Sequence, residues 1–521
     1  MKKMLAALSA LFLSCNMVCM STTFAEVKVS GDVNVDGIVS VSDVVLLQKW
    51  LLAVPNAKLT NWKAADVYDD DVIDIFDLAM LKRKLTVSSE KSNAPIAALH
   101  PSLPSTGTDR ILVAAVDFPD HPFELGKIVS QLEELCFGPE NTSDAKYPNE
   151  SVSAYFERSS NGKLHLQGDV FRYTAQHPIE WYNDESPCLL AEEIMTALDA
   201  DVDYQVYDAD SNRILDSLVI AIPESVLDVD QDQNGIPDWW YFSIPYTGSD
   251  KCDDVTLGTY CVVPFTMQDR TGFVNKLAHE LCHAMELPDY YKYAQDDDSD
   301  TDGMTGSAGY ELMDEGNGDL SAFSKLMLGW LDENVIQVYS GGTQTFSLTS
   351  MQQKPSCIMI PRYSDSGYLS EYFLIEYETG EGNNAAYFTH EMPNQLFQRS
   401  GGVRILHCQA ETYDSASGTK FRYNLNSPYY DKSNTKQRVL RLVNDVNFYA
   451  RTVIDGNTAG FHWYDADGAL TVDTGLTIRI SDVRPGPDYE EDSFSASSGM
   501  GPRNDPAFLN GSSYSIIIEQ N

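Results

Sequence analysis

Basic residues are scarce in this chain. Thirty-six lysines and arginines stand against 77 aspartates and glutamates, a formal charge of −41 over 521 residues. A surface of that sign repels polyanions, which excludes nucleic acid and anionic membranes as partners. Long apolar runs are missing too. Beyond the N-terminal 25 residues none approaches the roughly 18 needed to cross a bilayer. Cysteine is sparse, nine in all, and Cys15 and Cys19 fall in a stretch with the marks of a secretory signal. Lys2 and Lys3 form its basic start, Met4 to Leu13 its apolar part, and Thr23-Phe24-Ala25 a small-residue cleavage site, so residues 1–25 are expected to be removed. A rival reading takes FLSC, ending at Cys15, as a loose lipoprotein site. Seven cysteines then remain, an odd number that cannot all pair within the chain. Cys252 and Cys261 are close enough in sequence to staple a hairpin. No segment carries a glycosidase signature, and the length exceeds what one core can hold, so two or more units are expected.

What is present is concentrated in HELCHAMELPD, His279 to Asp289. In a helix, His279 and His283 stand four residues apart on one face, so both imidazoles reach one metal ion. Glu280 points toward the open side, where a general base for water activation belongs. Leu287-Pro288 ends the helix, and the turn swings Asp289 back as a third, oxygen ligand. Three protein ligands leave one open position, the pattern of a catalytic zinc. Glu286, three residues after His283 on the same face, is the rival third ligand; Asp289 is preferred because it approaches from beyond the turn. Cys282 faces away from the histidines and reads as a small buried hydrophobe.

The HExxH spacing, Asp289 and a downstream methionine segment, GYELMDEG around Met313, resemble the metzincin pattern with its Met-turn. Within that group the chain is similar to the immune-inhibitor-A-type secreted metallopeptidases, whose motif runs HExxHxxGLPD. SVSAYFERSSNGKLHLQGDV (151–170), DADSNRILDSLVIAI (208–222), SAFSKLMLGWL (321–331), EYFLIEYE (371–378) and GGVRILH (401–407) resemble that family's recurring segments. The resemblance covers most of 108–521 and implies a zinc endopeptidase acting on proteins, with Met313 as an apolar floor beneath the metal. This chain departs from the family at Glu286, where the family has glycine. Glycine enters positive φ without steric cost, so glutamate there either tolerates strain or reshapes the turn.

A repeat of 34 residues follows the signal. Asp32, Asn34, Asp36, Ser40 and Asp43 occupy positions 1, 3, 5, 9 and 12 of a loop, with Gly37 at position 6 and Ile38 offering its carbonyl at position 7. The second copy retains Asp66, Asp70, Asp74 and Asp77, but has Tyr68 at position 3 and Asp71 in place of glycine, so a weaker or remodelled site is expected. Each loop runs into an apolar helix, and Leu46, Leu47 and Leu51 correspond to Met80, Leu81 and Leu85. The duplicated loop-helix pair resembles a type I dockerin. That implies two calcium ions, a cohesin module of a scaffold as partner, and extracellular attachment to a cellulosome. The cohesin contact would involve Val41-Ser42 and Ile75-Phe76 at loop positions 10 and 11, with Lys49 and Arg83 at the rim.

Two further stretches carry calcium-loop spacing. Asp208, Asp210, Asn212 and Asp216 repeat the 1-3-5-9 placement with Arg213 where glycine is favoured, and Asp228, Asp230, Asp232, Asn234 and Asp238 form a denser set with Gly235. The acidic run 296–303 reads as a solvated loop or a third such site. The expected organisation is signal 1–25, dockerin 26–88, a Ser/Pro/Ala-rich linker 89–107, a catalytic region 108–334, and a β-rich C-terminal part of the same unit, 335–521. The fold class expected is α+β, a metzincin-like peptidase preceded by a small all-α, EF-hand-like module. Two other readings stand beside it: a dockerin-bearing carbohydrate-active enzyme with a hidden carboxylate pair, and a catalytically silent peptidase fold that serves in binding.

Overall fold

The computed structural model describes residues 33–34, 41–54, 57–59, 61–67, 72–75, 77–78 and 81 near the N-terminus, and 94–521 except 125, 231–237, 267–268, 292–308, 310, 315, 365, 390–401, 416–417, 425–436, 444–451 and 486–510. The signal stretch 1–25, with Cys15, and the acidic run 296–303 lie outside the described residues. The chain divides into two compact units, Met1–Lys91 and Ser92–Asn521.

In the smaller unit, helix α1 (Val41–Leu51) and the short helix α2 (Trp62–Ala65) are joined by helical backbone at 75, 77–78 and 81. Val33, Val44, Leu47, Ala65, Leu78 and Leu81 form its core. Val44 and Leu47 precede Leu78 and Leu81 by one repeat, so the duplicated sequence buries equivalent side chains.

The larger unit is mixed α/β with many strands. Its first sheet has the order β2-β1-β3-β6-β4, built from β1 (Gly107–Asp117), β2 (Leu164–Thr174), β3 (Ile214–Pro223), β4 (Phe242–Pro245) and β6 (Val255–Phe265). The two-residue β5 (Lys251–Cys252) also pairs with β6. β2, β1, β3 and β6 run parallel, and the edge strand β4 runs antiparallel to β6. Where an α+β chain would segregate its elements, this part interleaves them, because parallel neighbours need crossover connections. The strand β1 is apolar on both faces. Ile111, Val113 and Ala115 join a core with helices α3 (Ile128–Phe137), α4 (Val152–Ser159) and α6 (Arg270–Ala284). Leu112, Ala114 and Val116 join another with α5 (Pro187–Leu198).

A second sheet, order β14-β11-β10-β9-β7, comprises β7 (Ile336–Val338), β9 (Cys357–Pro361), β10 (Glu371–Glu378), β11 (Gly402–Gln409) and β14 (Leu440–Leu442). A third, antiparallel sheet has the order β15-β18-β19-β8, from β8 (Gln344–Thr349), β15 (Thr452–Ile454), β18 (Leu476–Ile480) and β19 (Ser513–Gln520). Alternate residues of β10 split between two cores. Phe373, Ile375 and Tyr377 pack toward the third sheet, whereas Tyr372 and Leu374 pack with Met313, Leu320 and Leu326 of the site region. A strand covered on both faces is rich in apolar residues, as the YFLI stretch of β10 is. Its three buried glutamates are paired with arginines, Glu371 with Arg362 and Glu376 and Glu378 with Arg404. The region after 335 therefore shares a core with the site. The described residues also include two hairpins, β12 (Thr412–Ser415) with β13 (Gly418–Phe421), and β16 (His462–Tyr464) with β17 (Leu470–Asp473).

The expected linker is corrected in its second half. Residues 95–99 form a 3-10 turn whose Ile96 and Leu99 are buried, followed by buried Leu103. Leu103 N–H donates to Ala284 O at 3.1 Å, Ser105 Oγ–H to Leu328 O at 2.9 Å, and Trp330 Nε1–H to Ser105 O at 2.6 Å. Its apolar residues gain more from burial beside α6 than a solvated spacer would. The disulfide is also corrected. Cys252 and Cys261 both carry free thiols, as do the other five cysteines after the signal. Cys252 pairs in the ladder with Val255, six positions away from Cys261, whose thiol lies by Ser217 and Ser243.

Helix α7 (Ala322–Met327) is fixed by buried charge. Ser321 caps it, and Glu376 of β10 accepts from Ala322 N–H at 2.6 Å while pairing with Arg404 at 2.7 Å. Lys325 on α7 pairs with Asp319 at 2.6 Å, both buried. Removing one partner of such a pair strands the other charge. Lys325→Ala should therefore cost about 3–5 kcal/mol in urea unfolding, and a Lys325→Met, Asp319→Asn double variant should recover much of the loss.

Candidate metal centre

Helix α6 begins at Asp269, whose carboxylate accepts from Gly272 N–H at 2.9 Å. It ends in a Schellman turn. Glu286 N–H donates to His283 O at 2.8 Å and Leu287 N–H to Cys282 O at 3.0 Å. The turn needs a left-handed residue just past the cap, and Glu286 supplies it at φ 69°. The strain is tolerated, and the turn has the shape glycine would give. The Glu286 carboxylate points to Lys420 of β13, with both oxygens 2.7 Å from Nζ. It therefore does not join the histidines, and the rival third ligand is not realised.

Asp289 does join them. Its Oδ1 lies 3.0 Å from His279 Nε2 and 3.4 Å from His283 Nε2, and one donor atom from each of the three residues lies within 4.8 Å of the others. Each Nδ1 is held by a carbonyl, His279 by Leu312 O at 2.9 Å and His283 by Leu287 O at 2.7 Å. That arrangement leaves both Nε2 atoms aimed at one point and fixes the rings from behind. Leu312 belongs to the 3-10 turn Leu312–Asp314, and Tyr290 N–H donates to Met313 O at 2.9 Å. The methionine segment thus holds both a histidine and the chain beside Asp289 through its backbone, with the Met313 side chain buried. Two imidazoles, one carboxylate and carbonyl-anchored rings suit zinc.

Glu280 is buried, and its Oε2 has no hydrogen-bond partner among the described residues. Burial raises its pKa, Asp289 adds to that, and the two histidines oppose it. Burial would also raise Asp289, but its hydrogen bonds to His279 and His283 outweigh this and hold it well below the usual carboxylate range. His283 is disfavoured as a cation by burial, yet the Asp289 carboxylate lifts it to about 9. Cys282 is buried in the core with the other apolar residues of α6, as its helical position predicts.

The other acidic sets divide. Asp208, Asp210 and Asp216 converge. Arg213 adopts the positive φ, 68°, that its loop position demands. Asn212 turns its amide oxygen to Ile214 N–H at 2.7 Å instead of toward the aspartates. Asp109 of β1, which loop spacing could not find, stands beside them. Burial, reinforced by neighbouring carboxylates, pushes Asp109 up to about 8 and Asp216 up to about 9. Of the 228–238 set, Asp228 closes a 3-10 turn and Asp238 N–H donates to Val229 O, while Asp232 and Asn234 lie outside the described residues. Asp228, Asp230 and Asp238 form no metal-type cluster among the described residues.

In the smaller unit the two loops close alike. Asp43 Oδ1 accepts from Val33 N–H at 2.8 Å and Asn34 N–H at 3.0 Å; Asp77 Oδ1 accepts from Val67 N–H at 2.8 Å, and its Oδ2 from Asp74 N–H at 2.7 Å. The position 12 carboxylate thus binds the amide of position 2 in both copies. Asp66 is buried and caps α2. Ile75 is 64% exposed and Lys49 is exposed, as contact residues require. Asp32, Asp36, Ile38, Ser40, Tyr68, Asp70, Asp71, Phe76 and Arg83 lie outside the described residues, as do the side chains of Val41 and Ser42.

Protonation of His283 beside Asp289 gives a pH signature. His283 rises from 6.5 to about 9 on folding, so its stabilisation is full below pH 6.5 and lost as pH climbs through about 9. In chelator, the melting temperature should fall across that window. A metal displaces the proton on binding, so metal-loaded protein should show no such fall.

The comparisons with known proteins bear on the smaller unit. No curated protein matches the chain. Among the described residues, no helix is long and apolar enough to cross a membrane. Dockerin domains bind calcium and a type I dockerin implies a cohesin partner in a cellulosome-type assembly; residues 30–86 match the dockerin type I domain family.

Proposed function

We propose that the larger unit is a zinc endopeptidase, secreted and held on a cohesin-bearing scaffold by its dockerin. The observation that carries this reading is the convergence of His279, His283 and Asp289 beside the orphaned, buried Oε2 of Glu280. Zinc bound there would polarise a peptide carbonyl and acidify water. Glu280 stands next to His279 on α6, its carboxylate biased by burial toward holding a proton. It takes a proton from the attacking water and returns it to the leaving amine. The Nδ1 contacts to Leu312 O and Leu287 O orient both rings so that each Nε2 faces the metal position. Met313, buried in the same core, would form the apolar floor beneath the metal, and the Glu286–Lys420 pair ties the turn to the β12–β13 hairpin. Sequence resemblance in 108–521 supports the same reading, as does a sheet backed by the helix that carries both histidines.

Glu280→Gln keeps the side-chain shape but removes the base. It should leave zinc bound and lower kcat on a peptide substrate by about 100-fold to 10,000-fold. His279→Ala, His283→Ala and Asp289→Ala should each lose the metal, measured as zinc per chain, whereas Glu286→Ala should retain it. Wild-type chain that holds zinc in calcium near neutral pH but cleaves no peptide would defeat the proposal and favour a silent binding module.

Cohesin binding should need calcium and should be abolished by aspartate at Val41, Ser42, Ile75 and Phe76 together, with proteolysis unchanged. Undiminished capture of that variant on immobilised cohesin would place the docking surface elsewhere.

A further inference from the structure

We propose that Asp109, Asp208, Asp210 and Asp216 hold a calcium ion that ties the start of β1 to the loop entering β3. β1 and β3 are parallel neighbours with Leu112 opposite Leu218. Both strands therefore begin at one edge of the sheet, and Asp109 and Asp216 lie near those beginnings. Asp208, Asp210 and Asp216 bring one carboxylate oxygen each within 4.8 Å of the others. Continuing that register sets Asp109 opposite Leu215, so it stands next to Asp216 across the two strands. It lies outside the three-carboxylate cluster itself but near enough for its charge to interact with Asp210 and Asp216.

Two oxygens point to an occupant. Asp109 Oδ2 and Asp216 Oδ1 are buried with no hydrogen-bond partner among the described residues, on side chains 2% and 0% exposed. A carboxylate withdrawn from water without a partner is costly. No lysine or arginine among the described residues pairs with any of the four. Arg110, adjacent in sequence, is committed to Asp169 and lies over the Tyr207 ring. Protons can neutralise buried carboxylates one at a time, but only a dissolved cation bonds the converging oxygens together. Four carboxylates, some on a loop free to adjust, suit the larger and geometrically tolerant calcium over magnesium.

The site differs from what loop spacing describes. Asn212 would be a ligand by spacing, but its amide oxygen is engaged by Ile214 N–H. Asp109 takes its place from a strand about 100 residues earlier in sequence. A ligand set drawn from two strands staples the sheet, which a loop-only set would not.

The test uses the full chain with zinc present and calcium varied, comparing wild type with Asp109→Asn by equilibrium dialysis and hydrogen exchange. Asp109→Asn should bind one calcium fewer per chain. Calcium should slow exchange at 107–117 and 208–217 in wild type but not in the variant, while protection of 30–86 stays the same in both. In chelator the variant should melt no lower than wild type, because a buried carboxylate has been removed; in calcium it should melt lower. That reversal of sign separates a lost ligand from a lost packing contact. If Asp109→Asn fails to fold, Asp210→Asn, on the exposed loop, should still lower the calcium count by one. An unchanged count, or calcium protection confined to 30–86, overturns the proposal.

Discussion

The larger unit depends on how one helix ends. Two histidines on α6 face the same point only if the helix continues through His283, and Asp289 reaches that point only if the chain reverses at once. The Schellman turn meets both demands. Its left-handed position falls on Glu286, and a left-handed backbone costs a non-glycine residue about 1–2 kcal/mol. The Glu286 side chain is held by Lys420, whose Nζ contacts both of its oxygens. The same turn presents Leu287 O to His283, so one backbone reversal brings the three candidate ligands together and orients a ring among them.

Much of this was legible in the sequence, and the exceptions share a cause. HELCHAMELPD carries its geometry locally, in helical spacing and an acid just beyond the turn, although the helix ends in the reversal at Glu286, before Leu287-Pro288. The dockerin repeat is likewise local, and its two copies close with matching hydrogen bonds from Asp43 and Asp77. Lys420 could not be foreseen, since 134 positions separate it from Glu286 and no short-range pattern links them. Asp109 was hidden for the same reason, although an acid opening an otherwise apolar strand was a faint sign. The linker boundary was misplaced because PIAAL has the composition of a spacer, whereas its two large side chains complete a core built by distant elements. Cys252 and Cys261 misled in the other direction, since nearness along the chain did not become nearness in the hairpin.

Charge has two different roles in the molecule. On the surface the acidic excess is solvated and only weakly coupled. Inside, carboxylates occur where something must be held. Glu376 holds the start of α7, Asp319 holds Lys325, and Asp289 holds two imidazoles. Burial makes each contact directional and makes each partner hard to replace.

The middle sheet has a further consequence for how such a chain is assembled over evolution. Because β10 sends alternate side chains into two cores, the described elements on either side of residue 335 do not separate: a recombination break there would expose an apolar face on each fragment. The break tolerated best falls before Ala94, where the smaller unit has its own separate core. The dockerin can thus be exchanged at that one position, while the larger unit is inherited whole.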